Sequence, residues 1–220
     1  MKTPHDVLLF DLDGTLSDPL VGIGRSINYA LSHFGYPELP LSDLAVHVGP
    51  PLDQAFNSIT GLSSALALDG LVAKYRERYG EIGYSENVLY PGIALVMDSL
   101  AAAGIALGVC TSKRGDFAER ILELFGLRSY FSVVCGGETG TQKWQQIRDL
   151  LERGVVSKST VMIGDRGVDL SAAHCNGLPA AGVLWGYGSR QELEAEQPRY
   201  LLSTPLELLG LAGLNSTLLS

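Results

Sequence analysis

Apolar and polar positions along the chain fall into two regimes. Val7-Leu8-Leu9-Phe10 is a short unbroken apolar run, too short for a helix, and predicts a buried β-strand. From Leu16 to about Asn87 the period is helical. Ser17-Asp18-Pro19 marks a helix start with Pro at the first helical position. Leu20, Ile23, Ile27, Leu31 and Phe34 share one face of that helix, and Gly35 and Pro37 end it. Ser42 is expected to cap a short helix that stops at Gly49. Pro50-Pro51 opens another, with Leu52, Ala55, Phe56 and Ile59 on one face and Gly61 at its end. Ser63-Ser64 precedes a longer helix carrying Leu68, Leu71, Val72, Tyr75 and Tyr79, which stops near Gly80. No strand pattern interrupts this block.

From Val88 onward strands and helices alternate. Pro91-Gly92 opens a helix through Ile93, Val96, Met97 and Leu100, closed by Gly104. Ala106 to Cys110 reads as a strand ending at Thr111-Ser112, and a helix with Phe117, Ile121, Leu122 and Phe125 follows. Tyr130 to Cys135 is the next strand, then a Gly-rich loop, then a helix around Ile147, Leu150 and Leu151. Thr160 to Ile163 is a strand ending at Gly164-Asp165, with a short helix from Leu170 to Asn176. Ala180 to Leu184 and Tyr200 to Leu202 complete the strands. Capping boxes are expected at Ser189-Arg190-Gln191-Glu192 and Thr204-Pro205-Leu206-Glu207. Alternation of this kind builds right-handed βαβ units around a parallel sheet. The expected fold class is therefore α/β. A Rossmann-like parallel-sheet core takes residues 1–15 and 88–220, and an all-helical insertion takes residues 16–87.

The candidate chemistry starts where the first strand should end. Phe10-Asp11-Leu12-Asp13-Gly14-Thr15-Leu16 places two carboxylates there, and Gly14 lets the chain turn. Ligands of open parallel sheets bind outside the carboxyl ends of the strands. Two acids this close repel unless a cation or a shared proton intervenes. Mg²⁺ would settle the repulsion, since hard cations take oxygen ligands. An ionised Asp beside it can attack phosphorus, and a protonated second Asp can serve the leaving oxygen. A plain Asp-Gly turn is the bland alternative.

Further polar clusters fall at later strand ends. Thr111-Ser112 can hold a phosphate with a hydroxyl and backbone N–H groups. Lys143 stands at a helix start, placed to neutralise developing charge. Gly164-Asp165-Arg166-Gly167-Val168-Asp169 brings two more acids. Each has its own bland reading: an N-cap pair, a solvated Lys, a helix-capping Asp. Their recurrence at one sheet edge is what favours a site.

Composition narrows the picture. The chain has 220 residues and 46% hydrophobic content, enough for a sizeable core. A net charge of −8 argues against nucleic acid, whose binding is led by Lys and Arg. It also requires a phosphate-processing site to supply its own local cations. No run approaches a membrane span, and Met1 to Asp6 holds no signal-peptide core. Cys110, Cys135 and Cys175 are widely spaced, which suits reduced thiols in a cytoplasm. Asn215-Ser216-Thr217 matches a glycosylation triplet and is read as chance. The acid pair's phosphorus chemistry makes a small phosphomonoester the expected partner, with no membrane, and leaves monomer or homodimer open.

The motif set resembles the haloacid dehalogenase superfamily of phosphotransferases across nearly the whole chain. Its motifs are read at Asp11 to Leu16, Thr111-Ser112, Lys143, and Gly164-Asp165 through Asp169. The inserted helices resemble the mobile cap of the branch containing phosphoglycolate phosphatase. Val48 to Leu52, Tyr90-Pro91-Gly92, Gly164-Asp165-Arg166 and Gly182 to Gly188 look most like its 5′-nucleotidase-like members. The resemblance implies Asp11 as nucleophile and Asp13 as general acid, then base. It implies Thr111, Ser112 and Lys143 at the phosphoryl group. Mg²⁺ would be held by Asp11, the Asp13 backbone carbonyl and Asp165, with Asp169 in support. The family often places Pro after the third-motif Lys; here Trp144 follows, and Lys113 is the alternative cation.

Rival readings are weaker. A P-loop over residues 136–143 lacks the Gly before Lys143 and the Ser or Thr after it. Gly22-Ile23-Gly24 lacks the third Gly of a dinucleotide site. A dehalogenase needs no second acid. A sugar-phosphate mutase uses the same acids, and a receiver-like signalling module shares the sheet-edge acids but not the insertion. His47 and His174 read as packing or structural residues, Arg25 as a surface residue with some claim on substrate, and Tyr75 and Tyr79 as core of the insertion.

Overall fold

The computed structural model describes residues 5–137 and 140–214. Asn215-Ser216-Thr217, the Leu-rich tail beyond Leu214, and Glu138 and Thr139 of the Gly-rich loop lie outside these residues. The chain divides into two units. One runs to Ser17 and resumes at Leu89; the other is Asp18–Val88. The chain passes between them through the two-residue strands β2 (Ser17–Asp18) and β3 (Val88–Leu89).

The first unit holds a six-stranded parallel sheet. In chain order its strands are β1 (Val7–Phe10), β4 (Ala106–Arg114), β5 (Phe131–Gly137), β6 (Val161–Gly164), β7 (Ala180–Val183) and β8 (Tyr200–Leu202). In space the order is β5-β4-β1-β6-β7-β8, and each neighbouring pair is parallel. The helices of this unit are α5 (Ile93–Ala102), α6 (Gly115–Leu124), α7 (Lys143–Glu152), α8 (Gly167–Cys175), α9 (Arg190–Ala195) and α10 (Leu208–Leu211). The β1 run Val7-Leu8-Leu9-Phe10 is buried throughout, as expected of a central strand covered on both faces. Leu9, Met162 and Ala180 join Ile147, Leu150 and Leu170 in one apolar cluster. Fully burying such a side chain is worth about 1.5–3 kcal/mol, so this cluster anchors α7 and α8 to the sheet.

One strand boundary and one helix cap differ from expectation. The strand begun at Ala106 does not end at Thr111-Ser112 but runs to Arg114, and its register with β5 shifts between Cys110 and Arg114. Thr111 and Ser112 therefore stand in the irregular part of a strand rather than beyond its end. Gly136 explains the close pairing there, since a Cβ on it would lie 2.1 Å from Gly115 Cα. The expected box at Ser189 is half formed. Ser189 Oγ accepts from Glu192 N–H, but the Glu192 carboxylate turns to Gly167 N–H and Arg166 Nε instead. Thr204 and Glu207 do form the full box.

The second unit is helical: α1 (Leu20–His33), α2 (Leu41–Leu44), α3 (Leu52–Thr60) and α4 (Ala65–Glu81). Asp18 Oδ1 accepts from Leu20 N–H and starts α1, with Pro19 at the cap rather than inside the helix. Ser42 is inside α2, not at its cap; Pro40 precedes the helix, and a 3₁₀ turn, Ala45–His47, follows it. Phe34, expected on the buried face of α1, falls just past its end and is 47% exposed. Gly61 at φ +72° closes α3. Tyr75 and Tyr79 are buried, with ring centroids 5.4 Å apart. Among the described residues, no helix is long and apolar enough to cross a membrane.

Candidate active site

Strand order reverses at β1, with β4 on one side and β6 on the other. This is the position at which open α/β sheets bind ligands. Asp11 N–H donates to Ile163 O at 2.8 Å, so sheet pairing continues one residue past β1 and aims the first carboxylate. The chain then turns at Gly14, whose φ is +81°. A Cβ on Gly14 would also lie 2.2 Å from Asp165 Oδ2, so space as well as conformation demands glycine there.

Each acid of the Asp11-x-Asp13 pair has its own lysine. Lys143 Nζ lies 3.0 Å from Asp11 Oδ1, although that buried oxygen stays outside hydrogen-bonding geometry. Lys143 also donates to Asp169 Oδ1. Lys113 Nζ lies 2.7 Å from Asp13 Oδ2, and Asp13 Oδ1 is buried without a partner. The lysine the sequence offered as an alternative at the phosphoryl position is thus the partner of the second acid.

Lys143 is the first residue of α7, and Gln142 with Gln145 forms a capping box around it. This box sets the register that the missing Pro left open. Burial works against the Lys143 charge, but Asp11 and Asp169 overcome it and raise its pKa. Asp169 occupies the third helical position of α8, where Oδ2 accepts from Arg166 N–H at 3.1 Å. It is therefore both the helix cap of the bland reading and a partner of Lys143. Burial raises its pKa to about 6, with Lys143 opposing.

Asp165 is raised to about 7, first by burial and then by the charges of Asp169 and Asp11. Its Oδ1 accepts from Thr15 Oγ1 at 3.2 Å, and its Oδ2 from Tyr187 N–H at 2.8 Å. Trp185 Nε1 donates to Thr15 O at 2.9 Å. The segment 185–188 presses on Asp165 so closely that a Cβ on Gly186 would lie 2.4 Å from Asp165 Cβ. On Gly188 it would lie 1.9 Å from Asp165 O. Burial raises the Asp13 pKa, with Lys113 opposing. Thr111 is buried; its Oγ1 accepts from Lys113 N–H and its carbonyl from Gln146 Nε2 at 3.1 Å. Ser112 is exposed.

The structure thus brings Asp11, Asp165, Asp169 and Lys143 together directly, while Lys113 ties Asp13 to Thr111. Sequence reasoning passed over Thr15, Gln146 and Tyr187. Thr15 lay within the first motif, and Gln146 sits one residue past the Gln142/Gln145 box. Tyr187 acts through its backbone, and its signal was only the glycines on either side.

Asp11, Asp165 and Asp169 each offer one carboxylate oxygen, and these lie within 4.8 Å of one another. The donor set is all oxygen, it carries mutual repulsion, and Asp11 Oδ1 has spare acceptor capacity. That chemistry fits a hard dication such as Mg²⁺. The Asp13 side chain is not in the cluster, and the resemblance assigns it to the metal only through its carbonyl oxygen.

A parallel sheet with paired acids, lysine and a carboxylate cluster at its switch point defines a phosphoryl-transfer type of α/β enzyme. The chain belongs to the haloacid dehalogenase-like hydrolase family, whose model matches residues 8–183. It is 42% identical to a 5′-nucleotidase of Pseudomonas aeruginosa, over 88% of this chain and 89% of that one. It is 38% identical to tyrosine-protein kinase PtkA of Mycobacterium tuberculosis over 83% of this chain, and the match spans 63% of that protein. A phosphoglycolate phosphatase of Vibrio parahaemolyticus is 30% identical over 97% of this chain and all of its own length. Among solved structures, a haloacid dehalogenase-like family hydrolase from Streptococcus pneumoniae superimposes with a TM-score of 0.87 at 26% identity, covering 94% of this chain and 98% of that one. The phosphatase homologues indicate a hydrolase acting on phosphoric monoesters, which sets aside the receiver-like reading.

Proposed function

We propose that this chain is a Mg²⁺-dependent phosphomonoesterase that hydrolyses a small phosphorylated metabolite through an aspartyl-phosphate. The observation that carries the reading is the pair of differently held acids on one turn. Asp11 keeps a free oxygen beside Lys143, while burial favours a retained proton on Asp13. Asp11 attacks phosphorus as Asp13 gives its proton to the leaving oxygen. Asp13 then takes a proton from the water that opens the aspartyl-phosphate. Thr111, Ser112 and Lys143 hold the phosphoryl oxygens, and Lys143 opposes the charge that builds on them. Asp11, Asp165 and the Asp13 carbonyl would hold Mg²⁺, with Asp169 in support. When bound, the ion neutralises phosphoryl charge.

The identity and coverage of the 5′-nucleotidase relative favour a nucleoside 5′-monophosphate, with phosphoglycolate as the competing substrate. The helical unit Asp18–Val88 is the proposed cap, and residues that select between the two are sought there, at Arg25, Val48 and Leu52. Three free thiols support a cytoplasmic setting.

The test is a screen of nucleoside 5′-monophosphates, phosphoglycolate, sugar phosphates and p-nitrophenyl phosphate, with Mg²⁺ and with EDTA. Asp11→Asn keeps the shape of the side chain and should lower turnover by about 10³-fold or more. Turnover of Asp11→Asn at the wild-type rate would reject the nucleophile. Activity undiminished by EDTA would reject the metal. Interconversion of sugar phosphates without release of phosphate would make the chain a mutase.

A further inference from the structure

The mechanism makes no use of two cysteines beside the site. Cys110 and Cys135 are directly paired residues of the parallel strands β4 and β5. Neighbouring strands lie about 4.8 Å apart, inside the range of about 4.4–6.8 Å between Cα atoms that a disulfide spans. Each thiol acts on the ionisation of the other. Gln146 Nε2 approaches Cys135 Sγ at 3.7 Å, which places the pair on the α7 side of the sheet. Cys110 is fully buried, whereas Cys135 lies on the edge strand and is partly exposed.

The thiols are unequal. The neighbouring Cys110 thiol favours the Cys135 thiolate and lowers its pKa to about 7. Cys135, with burial, pushes Cys110 up. Cys135 is thus the more readily ionised and the more reachable thiol, and Cys110 a buried neighbour able to resolve what forms on it.

We propose that Cys110 and Cys135 are a redox modification site that takes a hydroperoxide as oxidant and closes to a reversible disulfide. The Cys135 thiolate attacks the peroxide oxygen; the O–O bond breaks, and with one proton the products are a sulfenic acid and water. Cys110 sulfur then attacks the sulfenic sulfur, giving up its proton as a second water leaves. Two thiols and one hydrogen peroxide yield one disulfide and two waters. Gln146 links this site to the chemistry, because the Nε2 that approaches Cys135 also donates to Thr111 O at 3.1 Å. Cys110 is bonded directly to Thr111. The tight contact at Gly136 leaves the strands little freedom to absorb the new bond. Closing it therefore shifts Thr111 and lowers turnover, a step that rests on the role proposed for Thr111. A partly exposed disulfide of this kind is readily reduced.

The full-length protein is treated with hydrogen peroxide, alkylated and digested with trypsin. The expected product joins peptide 79–113 to peptide 129–143, at a mass two hydrogens below their sum, and disappears with dithiothreitol. Turnover of p-nitrophenyl phosphate should fall as the crosslink forms and return on reduction. Cys135→Ser and Cys110→Ala should each abolish the crosslink and protect activity, and Cys175→Ser should change neither. Sulfinic acid on Cys135 without a crosslink, or a crosslink to Cys175 instead, would overturn the site. A full crosslink with unchanged turnover would overturn its coupling to Thr111. The crosslink is read by mass, so it stands or falls apart from the proposed phosphatase chemistry.

Discussion

Lys113 Nζ lies 2.7 Å from Asp13 Oδ2, so the acid assigned to proton transfer carries a cation of its own, separate from the Lys143 that serves Asp11. Burial raises the Asp13 pKa and Lys113 pulls it back. Removing the cation should therefore raise it further. Lys113→Met keeps the stem and deletes the charge. An opposite charge at this range lowers a carboxyl pKa by about 1–3 units. The step in which Asp13 acts as base needs it ionised, so the acid limb of the kcat profile should move to higher pH by about one unit or more. A kcat–pH profile checks this; an acid limb that stays in place would separate Lys113 from Asp13 function.

Gly186 tests how Asp165 is held. A Cβ there would meet Gly14 O at 2.3 Å, in the turn after Asp13, and Asp165 Cβ at 2.4 Å, just past the end of β6. Neither contact is the end of a flexible side chain, so Gly186→Ala must displace Asp165 or the segment itself. Overpacking of this kind costs about 1–3 kcal/mol. Affinity for Mn²⁺, followed by electron paramagnetic resonance as a stand-in for Mg²⁺, should weaken. Trp185→Phe keeps an aromatic ring but loses the 2.9 Å bond to Thr15 O, and should weaken Mn²⁺ affinity less. Native Mn²⁺ affinity in Gly186→Ala would mean the segment does not position Asp165.

Much of this site was legible because its residues carry chemistry in their side chains and stand at the ends of short apolar runs. Val7 to Phe10 marks its own strand, and Asp11 and Asp13 follow where the run stops. What escaped notice acts through backbone or through packing. Tyr187 contributes an N–H that any residue but Pro has, and only the paired glycines around it hint at close approach. The extension of β4 to Arg114 could not be read from periodicity, since Ser112, Lys113 and Arg114 are polar and the strand continues only because β5 pairs with it. Lys113 was visible as a charge, but its partner is set by that irregular register. Glu192 misled for the opposite reason: its local capping pattern was sound, yet the α8 start offered Gly167 N–H and Arg166 in competition.

The carboxylate cluster should make metal-free protein pH-sensitive. Asp165 is raised to about 7 in the folded chain and Asp169 to about 6, both above an unfolded value near 4. A raised folded pKa contributes stability that is complete below the unfolded value and lost as pH rises through the folded one. In EDTA the melting temperature should therefore fall between about pH 4 and pH 7 by an amount that Asp165→Asn reduces. If Mg²⁺ binds the ionised cluster as proposed, its stabilising effect should be larger at pH 8 than at pH 5. Thermal melts at both pH values, with and without Mg²⁺, read this directly. An equal Mg²⁺ effect at both would show that the ion does not bind these carboxylates.

Asp13 as general acid makes a prediction that depends on the leaving group. The phosphoryl transition state is loose, with charge building on the leaving oxygen. An alkoxide is strongly basic and needs a proton as the bond breaks, whereas p-nitrophenolate leaves without one. General acid catalysis is worth about 10²–10⁴-fold where the leaving group needs it. Asp13→Asn should slow formation of the phospho-enzyme steeply for an alkyl phosphate and far less for p-nitrophenyl phosphate. In the proposed mechanism, hydrolysis of the aspartyl-phosphate uses Asp13 as base for either substrate, so steady-state rates should fall for both. Single-turnover burst kinetics isolate the first step and carry the contrast. The Asp13 backbone carbonyl is unchanged by the substitution, so Mg²⁺ affinity should hold and serve as the control. Equal slowing of the burst for both leaving groups would take the acid role from Asp13 and leave it a partner that holds Lys113 in place.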